Sequence, residues 1–298
     1  MAIRLNPDLI PNLLYSIQQN RQNQATATEQ ISTGRRVNVP SDDPASAAAI
    51  VGNHAQATED DQFLRNVSGL QSKFQVADST LNSAVQVMTR AVTLGVEGAN
   101  GTLSAANRQA VAGEVQGLMD QMLSLANLSY QGTYVFAGTA VTTQPFVVDS
   151  TSPDGVTYKG DTGVNSIELS SGQAVQINVP GSQLFLNPGG NVFGALHQLY
   201  SALLAGTGMD TAVSALNTAL GQLNSQRVTY GNALNQLQLT ESFLSQEKIN
   251  LSKQESSLVG ADLAATATQL AQAQTASQAV LSATGRILGL PTLLDYLK

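Results

Sequence analysis

The fold is decided by residues 211–258, TAVSALNTALGQLNSQRVTYGNALNQLQLTESFLSQEKINLSKQESSL, in which a large apolar side chain recurs every seven residues. Leu220 and Leu234 lie four residues after two of these positions and widen the apolar stripe. A seven-residue apolar repeat predicts one long helix that packs along another helix, as in a coiled coil. The seven repeating positions are Leu216, Leu223, Tyr230, Leu237, Leu244, Leu251 and Leu258.

An earlier segment carries a matching pattern, in which small or apolar residues alternate in steps of four and three. These positions are Phe63, Val67, Leu70, Phe74, Ala77, Leu81, Ala84, Met88, Ala91 and Gly95. Acidic residues favour the first turn of a helix, so Glu59, Asp60 and Asp61 predict that this second helix starts just before Phe63. A shorter stretch repeats the stepping and predicts a third helix, weakened by Gly113 and Gly117. Its apolar positions are Val111, Val115, Leu118, Met122 and Leu125.

The periodicity changes to two between residues 133 and 186. Short β-prone runs at 133–136, 146–148, 155–158, 166–169 and 174–179 are separated by Gly, Pro, Asp and Ser. Such runs predict a small β domain. Helical spacing returns at Phe193, Leu196, Tyr200 and Leu203. We therefore expect a mainly α protein with an inserted β domain, in which long antiparallel helices from the N- and C-terminal segments form a coiled-coil-like bundle.

The N-terminal helix has a weaker pattern and clear boundaries. It keeps the same stepping, with polar residues in the middle, at Ile10, Leu14, Ile17, Arg21, Gln24, Thr28 and Ile31. Gly34 predicts a left-handed C-cap, and Asp43 with Pro44 predicts the N-cap and first position of the next helix. Asp42 and Asp43 are also candidate metal ligands. Capping is favoured because no third or fourth ligand clusters nearby.

Composition limits the possible partners. The net charge is −7, which provides no positive field for nucleic acid. The chain has no Cys, which excludes disulfides and thiolate metal sites and suits a protein exported unfolded. The first residues, MAIRLNP, lack the apolar run of a cleaved signal peptide. No window approaches the ~18 apolar residues of a membrane-spanning helix, so we expect no membrane partner.

No constellation points to an enzyme. His54 and His197 lie in neither a Gly-x-Ser-x-Gly nor a His-Glu-x-x-His context. Gly189-Gly190 lacks the Lys-Ser or Lys-Thr of a phosphate-binding loop. We therefore expect no catalytic residue, no metal and no cofactor.

Two terminal motifs carry a family resemblance. The run ISTGRRVN at residues 31–38 with DDPA at 42–45 resembles the N-terminal signature of flagellins and their relatives, and GADLA at 260–264 with QTASQA at 274–279 resembles the C-terminal one. Within that superfamily, several central motifs resemble the junction branch, the third hook-associated proteins, more than filament flagellins. They are YVFAGT at 134–139, PF at 145–146, YKGD at 158–161 and NVF at 191–193.

The resemblance implies a structural subunit of the bacterial flagellum that acts as an adaptor between hook and filament. It implies export by the flagellar type III apparatus without a cleaved signal, an extracellular location, and terminal helices that polymerise. The implied partners are the first hook-associated protein, flagellin, other copies in a junction ring, and an export chaperone. The implied segments are assembly helices at 1–42 and 259–298, a helical core at 43–132 and 187–258, and the β domain at 133–186. The expected assembly interface consists of Ile10, Leu14, Ile17, Ile31, Leu263, Leu270, Leu281 and Leu288.

Three alternatives remain open at this point. The chain could be a small flagellin that forms the filament itself, or a coiled-coil secretion translocator or adhesin. The apolar residues from Val280 to Leu297 could also form a membrane-surface helix. Only Arg286 and Lys298 would attract anionic lipid, and Pro291 interrupts the pattern, so burial against neighbouring subunits is favoured.

Overall fold

The computed structural model describes residues 9–101, 103–170 and 173–288, which form two compact units. We call residues 59–246 the core unit, and the residues up to 58 together with those from 247 the terminal unit. The helices are α1 (Leu9–Thr33), α2 (Pro44–Gly98), α3 (Ala105–Ala126), α4 (Gly181–Phe185), α5 (Val192–Ala205), α6 (Met209–Val259) and α7 (Leu263–Leu288). The strands are β1 (Ser129–Tyr130), β2 (Thr133–Tyr134), β3 (Phe146–Val148), β4 (Val156–Tyr158), β5 (Ser166–Ser170), β6 (Gln173–Gln176), β7 (Leu186–Asn187) and β8 (Gly190–Asn191).

In the core unit, α2 and α6 bury the two apolar patterns against each other. All ten positions from Phe63 to Gly95 are buried, and so are Leu216, Leu223, Tyr230, Leu237 and Leu244. Polar contacts show that the helices are antiparallel, because Gln71 donates to Glu241 at 2.8 Å whereas Asp78 pairs with Arg227 at 3.2 Å. The predicted long antiparallel helices and the mainly α fold class are confirmed.

The predicted start of the second helix was wrong. The helix α2 begins at Pro44, so Glu59, Asp60 and Asp61 lie inside it rather than at its end. The preceding residues include the run 45–49, Ala-Ser-Ala-Ala-Ala, and alanine has the highest intrinsic helix propensity. The helix therefore continues through a region in which the apolar stepping is absent.

The helix α3 packs along α5 in the core unit. It begins at an N-cap, where the hydroxyl of Ser104 accepts a hydrogen bond from the amide of Asn107 at 3.2 Å. Met122 is fully buried, whereas Gly113 and Gly117 are exposed. On the solvent side, Arg90 of α2 forms an ion pair with Glu114 at 2.6 Å.

The strands form four separate antiparallel hairpins, β1–β2, β3–β4, β5–β6 and β7–β8, within the part of the chain that the structure describes. They extend from Ser129 to Asn191, beyond the predicted limits of 133 and 186. Their apolar side chains share one aromatic cluster with the helices. Phe146 of β3 lies 5.6 Å from Phe185 of α4 and 5.3 Å from Phe193 of α5, measured between ring centroids. The β segment is therefore built into the core unit and does not form a core of its own.

Two of the junction-type motifs bind each other inside this segment. Gly138 adopts φ +75°, and the carboxylate of Asp161 accepts hydrogen bonds from the amide and the hydroxyl of Thr139. The amide of Asp161 donates to the carbonyl of Ala137 at 3.1 Å. The hydroxyl of Tyr158 lies 3.0 Å from the carbonyl oxygen of Phe136. The motifs at 134–139 and 158–161 thus have a structural role, since each fixes the backbone of the other.

Candidate assembly surface

The helices α1 and α7 of the terminal unit lie side by side and antiparallel. The amide group of Gln24 donates to the carbonyl of Ala273 at 3.0 Å, and the amide of Ala261 donates to the carbonyl of Gly34 at 3.0 Å. Among the side chains of this helix pair that the structure describes, the buried ones are all small: Ala27, Thr266 and Ala273. Small side chains remove little apolar area from water, so the pair alone gains little free energy from burial.

The two terminal motifs meet at the turn that follows α1. Gly34, with φ +68°, donates its amide to the carbonyl of Gln30 at 2.9 Å. Arg36 then holds the turn against the end of α6, because its amide donates to the carbonyl of Val259 at 2.6 Å. Its guanidinium donates to the carbonyl of Leu258 at 2.9 Å and pairs with Asp43 at 3.0 Å. The sequence separates these motifs by more than two hundred residues, and the fold joins them.

Asp43 caps α2 and Pro44 is the first residue of that helix. One carboxylate oxygen of Asp43 accepts from the amide of Ser46 at 3.0 Å, and the other accepts from its hydroxyl at 2.7 Å. The backbone hydrogen bond from Ser46, followed by its hydroxyl and Arg36, lowers the pKa of Asp43 to about 2. Asp42 instead braces the loop, since it accepts from the amides of Asn38 and Val39 at 2.9 and 3.0 Å.

Sequence reasoning missed two residues of this turn. Arg36 was part of a motif but had no assigned role, and nothing in its sequence context indicates the carbonyls of α6. Asp262 caps α7 by accepting from the amides of Ala264 and Ala265, both at 3.0 Å. That cap was predictable, because an Asp immediately before a helical run is a common start signal.

The expected register of α1 was partly wrong. Along the described part of α1, the side chains that are buried or half-buried are Leu13, Ile17, Asn20, Gln24, Ala27 and Gln30. Of the predicted series, only Ile17 and Gln24 are covered, whereas Leu14, Arg21 and Thr28 are exposed. The prediction placed the larger aliphatic residues inward along the whole helix, but after Ile17 the covered side chains are polar or small, namely Asn20, Gln24, Ala27 and Gln30.

The expected interface residues are mostly uncovered in the single chain. The exposed fractions are 60% for Leu14, 39% for Ile31, 53% for Leu263 and 58% for Leu281. Ile17 and Leu270 are half-buried. The side chains of Ile10 and Leu288 lie outside those that the structure describes. These aliphatic groups are thus available to a partner.

The helix pair has two chemically different faces. One face is a groove of about 470 Å³, which we call the amide face, lined by Asn20, Asn23, Thr26, Ala27, Gln30, Gln269, Gln272, Ala273 and Ala276. Leu14 is nine residues from Asn23, and Leu263 and Leu281 are each nine residues from Gln272. Nine residues are two and a half helical turns, so each leucine points away from the groove. We call Leu14, Leu263 and Leu281 the leucine face.

Both faces are almost free of charge. The only charged residues in α1 and α7 are Arg21, Glu29 and Arg286. Ion pairs therefore contribute little to what this helix pair binds, and contact between like copies meets little electrostatic repulsion here.

The two histidines occupy ordinary positions. His54 is exposed and lies 3.2 Å from Glu255, which is also 3.9 Å from Arg35, while His197 is half-buried on α5. Among the described residues, no three His, Cys, Asp or Glu side chains are grouped so that they could hold a metal ion. In the same part of the chain, no helix is long and apolar enough to span a membrane.

Comparison with known proteins places these features in a family. Residues 10–141 match the bacterial flagellin N-terminal helical region, and residues 213–297 match the bacterial flagellin C-terminal helical region. Flagellar hook-associated protein 3 of Escherichia coli is 31% identical over 291 residues, which cover 88% of this chain and 89% of that protein. A flagellin of Listeria innocua is 22% identical over 283 residues, covering 94% of each chain.

The fold has a counterpart among solved structures. The crystal structure of the flagellar junction protein FlgL from Legionella pneumophila superposes with a TM-score of 0.62 at 16% sequence identity. The superposition covers 71% of this chain and 100% of that chain. At this identity the likeness establishes the shared fold, namely long paired helices with a small strand-containing segment.

Proposed function

This chain belongs to the flagellin family and, within it, to the flagellar hook-associated protein 3 group, and we propose that it assembles through the leucine face of the α1–α7 pair. As a member of that group, it is a structural subunit of the flagellum at the hook–filament junction. The matched flagellin regions contain both of these helices. A subunit of this kind acts by positioning other proteins, so we assign no catalytic role to any residue.

The observation that carries the proposal is the uncovered aliphatic surface of the terminal unit. Leu14, Leu263 and Leu281 are more than half exposed, although the buried side chains described in these helices are all small. Full burial of an exposed leucine contributes roughly 1.5–3 kcal/mol, and covering the exposed part of each of these three would contribute about half of that, which is more than the internal contacts of Ala27 and Ala273 offer. A second chain on this face would therefore stabilise the pair as well as join the subunits.

The partners follow from the family and from the asymmetry of a junction. We propose that one end of a ring of these subunits contacts the first hook-associated protein and the other end contacts flagellin. We also propose export by the flagellar type III apparatus, with an export chaperone that covers the apolar terminal helix before assembly. The absence of Cys suits such a route, because an unfolded chain without thiols cannot cross-link.

The lack of Cys also permits a sharp test of the leucine face. Leu14→Cys and Leu281→Cys would place one thiol on the leucine face, and Asn23→Cys and Gln272→Cys would place one on the amide face. All four positions are exposed in the single chain, so each thiol should react with a maleimide dye in the purified monomer. In isolated flagella, we expect the two leucine-face thiols to be protected and the two amide-face thiols to react.

The other outcomes separate two errors. If only the amide-face thiols become protected, the terminal helices are the contact but the face is wrong. If all four thiols react in assembled flagella as they do in the monomer, assembly through these helices is wrong.

A deletion strain tests the junction position. Without the adaptor, we expect hooks to remain while flagellin is released into the medium, because flagellin has no compatible end to join. Antibody against this chain should mark a short band between hook and filament. Normal filaments in the deletion strain, or antibody along the whole filament, would contradict the adaptor role.

A further inference from the structure

The turn between α2 and α3 contains the sole Asn-Gly dipeptide of the sequence, Asn100-Gly101. Both residues are exposed and lie outside the helices, which end at Gly98 and resume at Ala105. Two backbone hydrogen bonds shape the turn: the amide of Asn100 donates to the carbonyl of Glu97, and the amide of Leu103 donates to that of Asn100, both at 3.1 Å. The backbone nitrogen of Gly101, which follows Asn100, is therefore outside both helices.

We infer that Asn100 is a site of spontaneous backbone-assisted deamidation. The nitrogen of Gly101 loses its proton to a base and bonds to the side-chain carbonyl carbon of Asn100, which closes a five-membered ring. The side-chain nitrogen takes up a proton, its bond to that carbon breaks, and it leaves as ammonia, so that an imide remains. Water then opens the imide at either carbonyl and yields aspartate or isoaspartate. Gly at the second position promotes the first step, because it has no Cβ to shield the nitrogen and the widest backbone freedom.

The product has a physical consequence in this turn. Deamidation adds a carboxylate close to Glu97, at the C-terminal end of α2, where negative charge opposes the helix dipole. Isoaspartate also lengthens the main chain by one carbon. The lengthened turn must still start from Gly98, which is buried and where an added Cβ would lie 2.6 Å from Leu203. The added charge would therefore destabilise the C-terminal end of α2 as the protein ages.

Trypsin provides an internal control for the test. Cleavage after Arg90 and Arg108 releases residues 91–108, which contain Asn100 and also Asn107, whose following residue is arginine. The folded protein is incubated at mildly alkaline pH, digested, and analysed by mass spectrometry with fragmentation. We expect the amide-to-acid mass change to accumulate at Asn100 several times faster than at Asn107, with separate aspartate and isoaspartate peaks.

Gly101→Ala is the matched variant. A Cβ at Gly101 would meet no atom within 4 Å, so the variant should fold normally and differ only in shielding the attacking nitrogen. The conversion at Asn100 should slow markedly in Gly101→Ala. Equal rates at Asn100 and Asn107 in the native protein, or an unchanged rate in Gly101→Ala, would overturn the inference.

Discussion

The core unit and the terminal unit use the same helical stepping with different side chains. The core unit buries large residues at these positions, such as Phe74, Leu81, Met88 and Leu223. Among the described side chains, the α1–α7 pair buries Ala27, Thr266 and Ala273 and leaves Leu14, Leu263 and Leu281 exposed. A helix pair gains stability from the apolar area that it removes from water, so the first unit gains more within one chain, and the proposed contact would supply what the second lacks. The stepping sets the geometry of pairing, and the side-chain size decides whether the pair is stable alone.

The largest difference between the units should appear in their local opening. We expect limited proteolysis of the isolated subunit to cut α1 and α7 long before the region around Leu237. Segments with few buried apolar contacts open at nearly no cost, whereas a core opens only at the global unfolding free energy of about 5–15 kcal/mol. Mass spectrometry of the early fragments gives the order of cleavage. Equal resistance of α1 and the region around Leu237 would show that the terminal unit is stable by itself.

Substitution of one leucine in each unit should separate folding from assembly. Leu223→Ala removes a fully buried side chain from the centre of the core unit and should lower the free energy of unfolding by about 2–5 kcal/mol. Leu14→Ala removes an exposed side chain and should change it by less than about 0.5 kcal/mol. Urea unfolding of the monomer measures both effects.

The same two variants should reverse their order in assembly. Leu14→Ala should fold normally but enter flagella poorly, which immunoblotting of purified flagella would measure. Leu223→Ala, if expressed at a level that keeps it folded, should retain the leucine face. Normal incorporation of Leu14→Ala would remove this leucine from the proposed contact.

Two glycines with nearly the same backbone angle allow a finer comparison. Gly34 of the terminal unit and Gly138 of the core unit have φ +68° and +75°. Alanine in this left-handed region costs about 1–2 kcal/mol at either position. A Cβ at Gly34 meets no atom within 4 Å, whereas a Cβ at Gly138 would overlap the backbone and carboxylate of Asp161. Gly138→Ala should therefore destabilise the protein more than Gly34→Ala, measured as the shift in the thermal midpoint.

The difference between the units also explains which parts of the fold could be predicted from the sequence. The core seam from Phe63 to Gly95 was predictable because apolar or small residues occupy its four-residue and three-residue steps without interruption. The register of α1 was not, because Asn20, Gln24 and Ala27 carry no hydrophobic signal and only the position of α7 shows that they face inward. The same holds for the hydrogen bonds of Arg36 to backbone carbonyls more than two hundred residues away. The β-prone runs were found, but their sharing of one aromatic cluster with α5 depends on tertiary contacts that periodicity does not encode.

Acid should weaken the terminal unit through Asp43. Its pKa is lowered from 3.8 to about 2 by the backbone amide and hydroxyl of Ser46 and by Arg36. A carboxyl whose pKa is depressed by folding stabilises the folded state above its unfolded pKa and loses that contribution as the pH falls towards the folded value. The protection factors for hydrogen exchange around residues 34–46, which are corrected for the intrinsic pH dependence of exchange, should thus fall between about pH 3.8 and 2.

Asp43→Asn is the control for that prediction. Asparagine can still accept the hydrogen bond from Ser46 and serve as an N-cap, but it does not ionise. In Asp43→Asn the acid-dependent loss of protection near residues 34–46 should shrink to the part that Asp42 contributes, because the amides of Val39 and Asn38 also lower the pKa of Asp42, while exchange in the core unit keeps its own pH dependence. An unchanged pH profile in the variant would assign the acid response to other carboxyl groups.

The smallest expected effect is a gain in stability at an exposed glycine of the core unit. Gly117 lies inside α3, is exposed, and would place a Cβ in open space with no atom within 4 Å. Alanine restricts the unfolded chain and favours the helix, so Gly117→Ala should raise the free energy of unfolding by about 0.5–1 kcal/mol. Gly98 at the end of α2 is the matched control, because it is buried and its Cβ would lie 2.6 Å from Leu203. Gly98→Ala should therefore lower stability in the same urea titration. Equal stabilisation by both variants would mean that the side chain of Leu203 moves away from the added methyl group at little cost. Helix propensity alone would then determine the change in the free energy of unfolding at both positions.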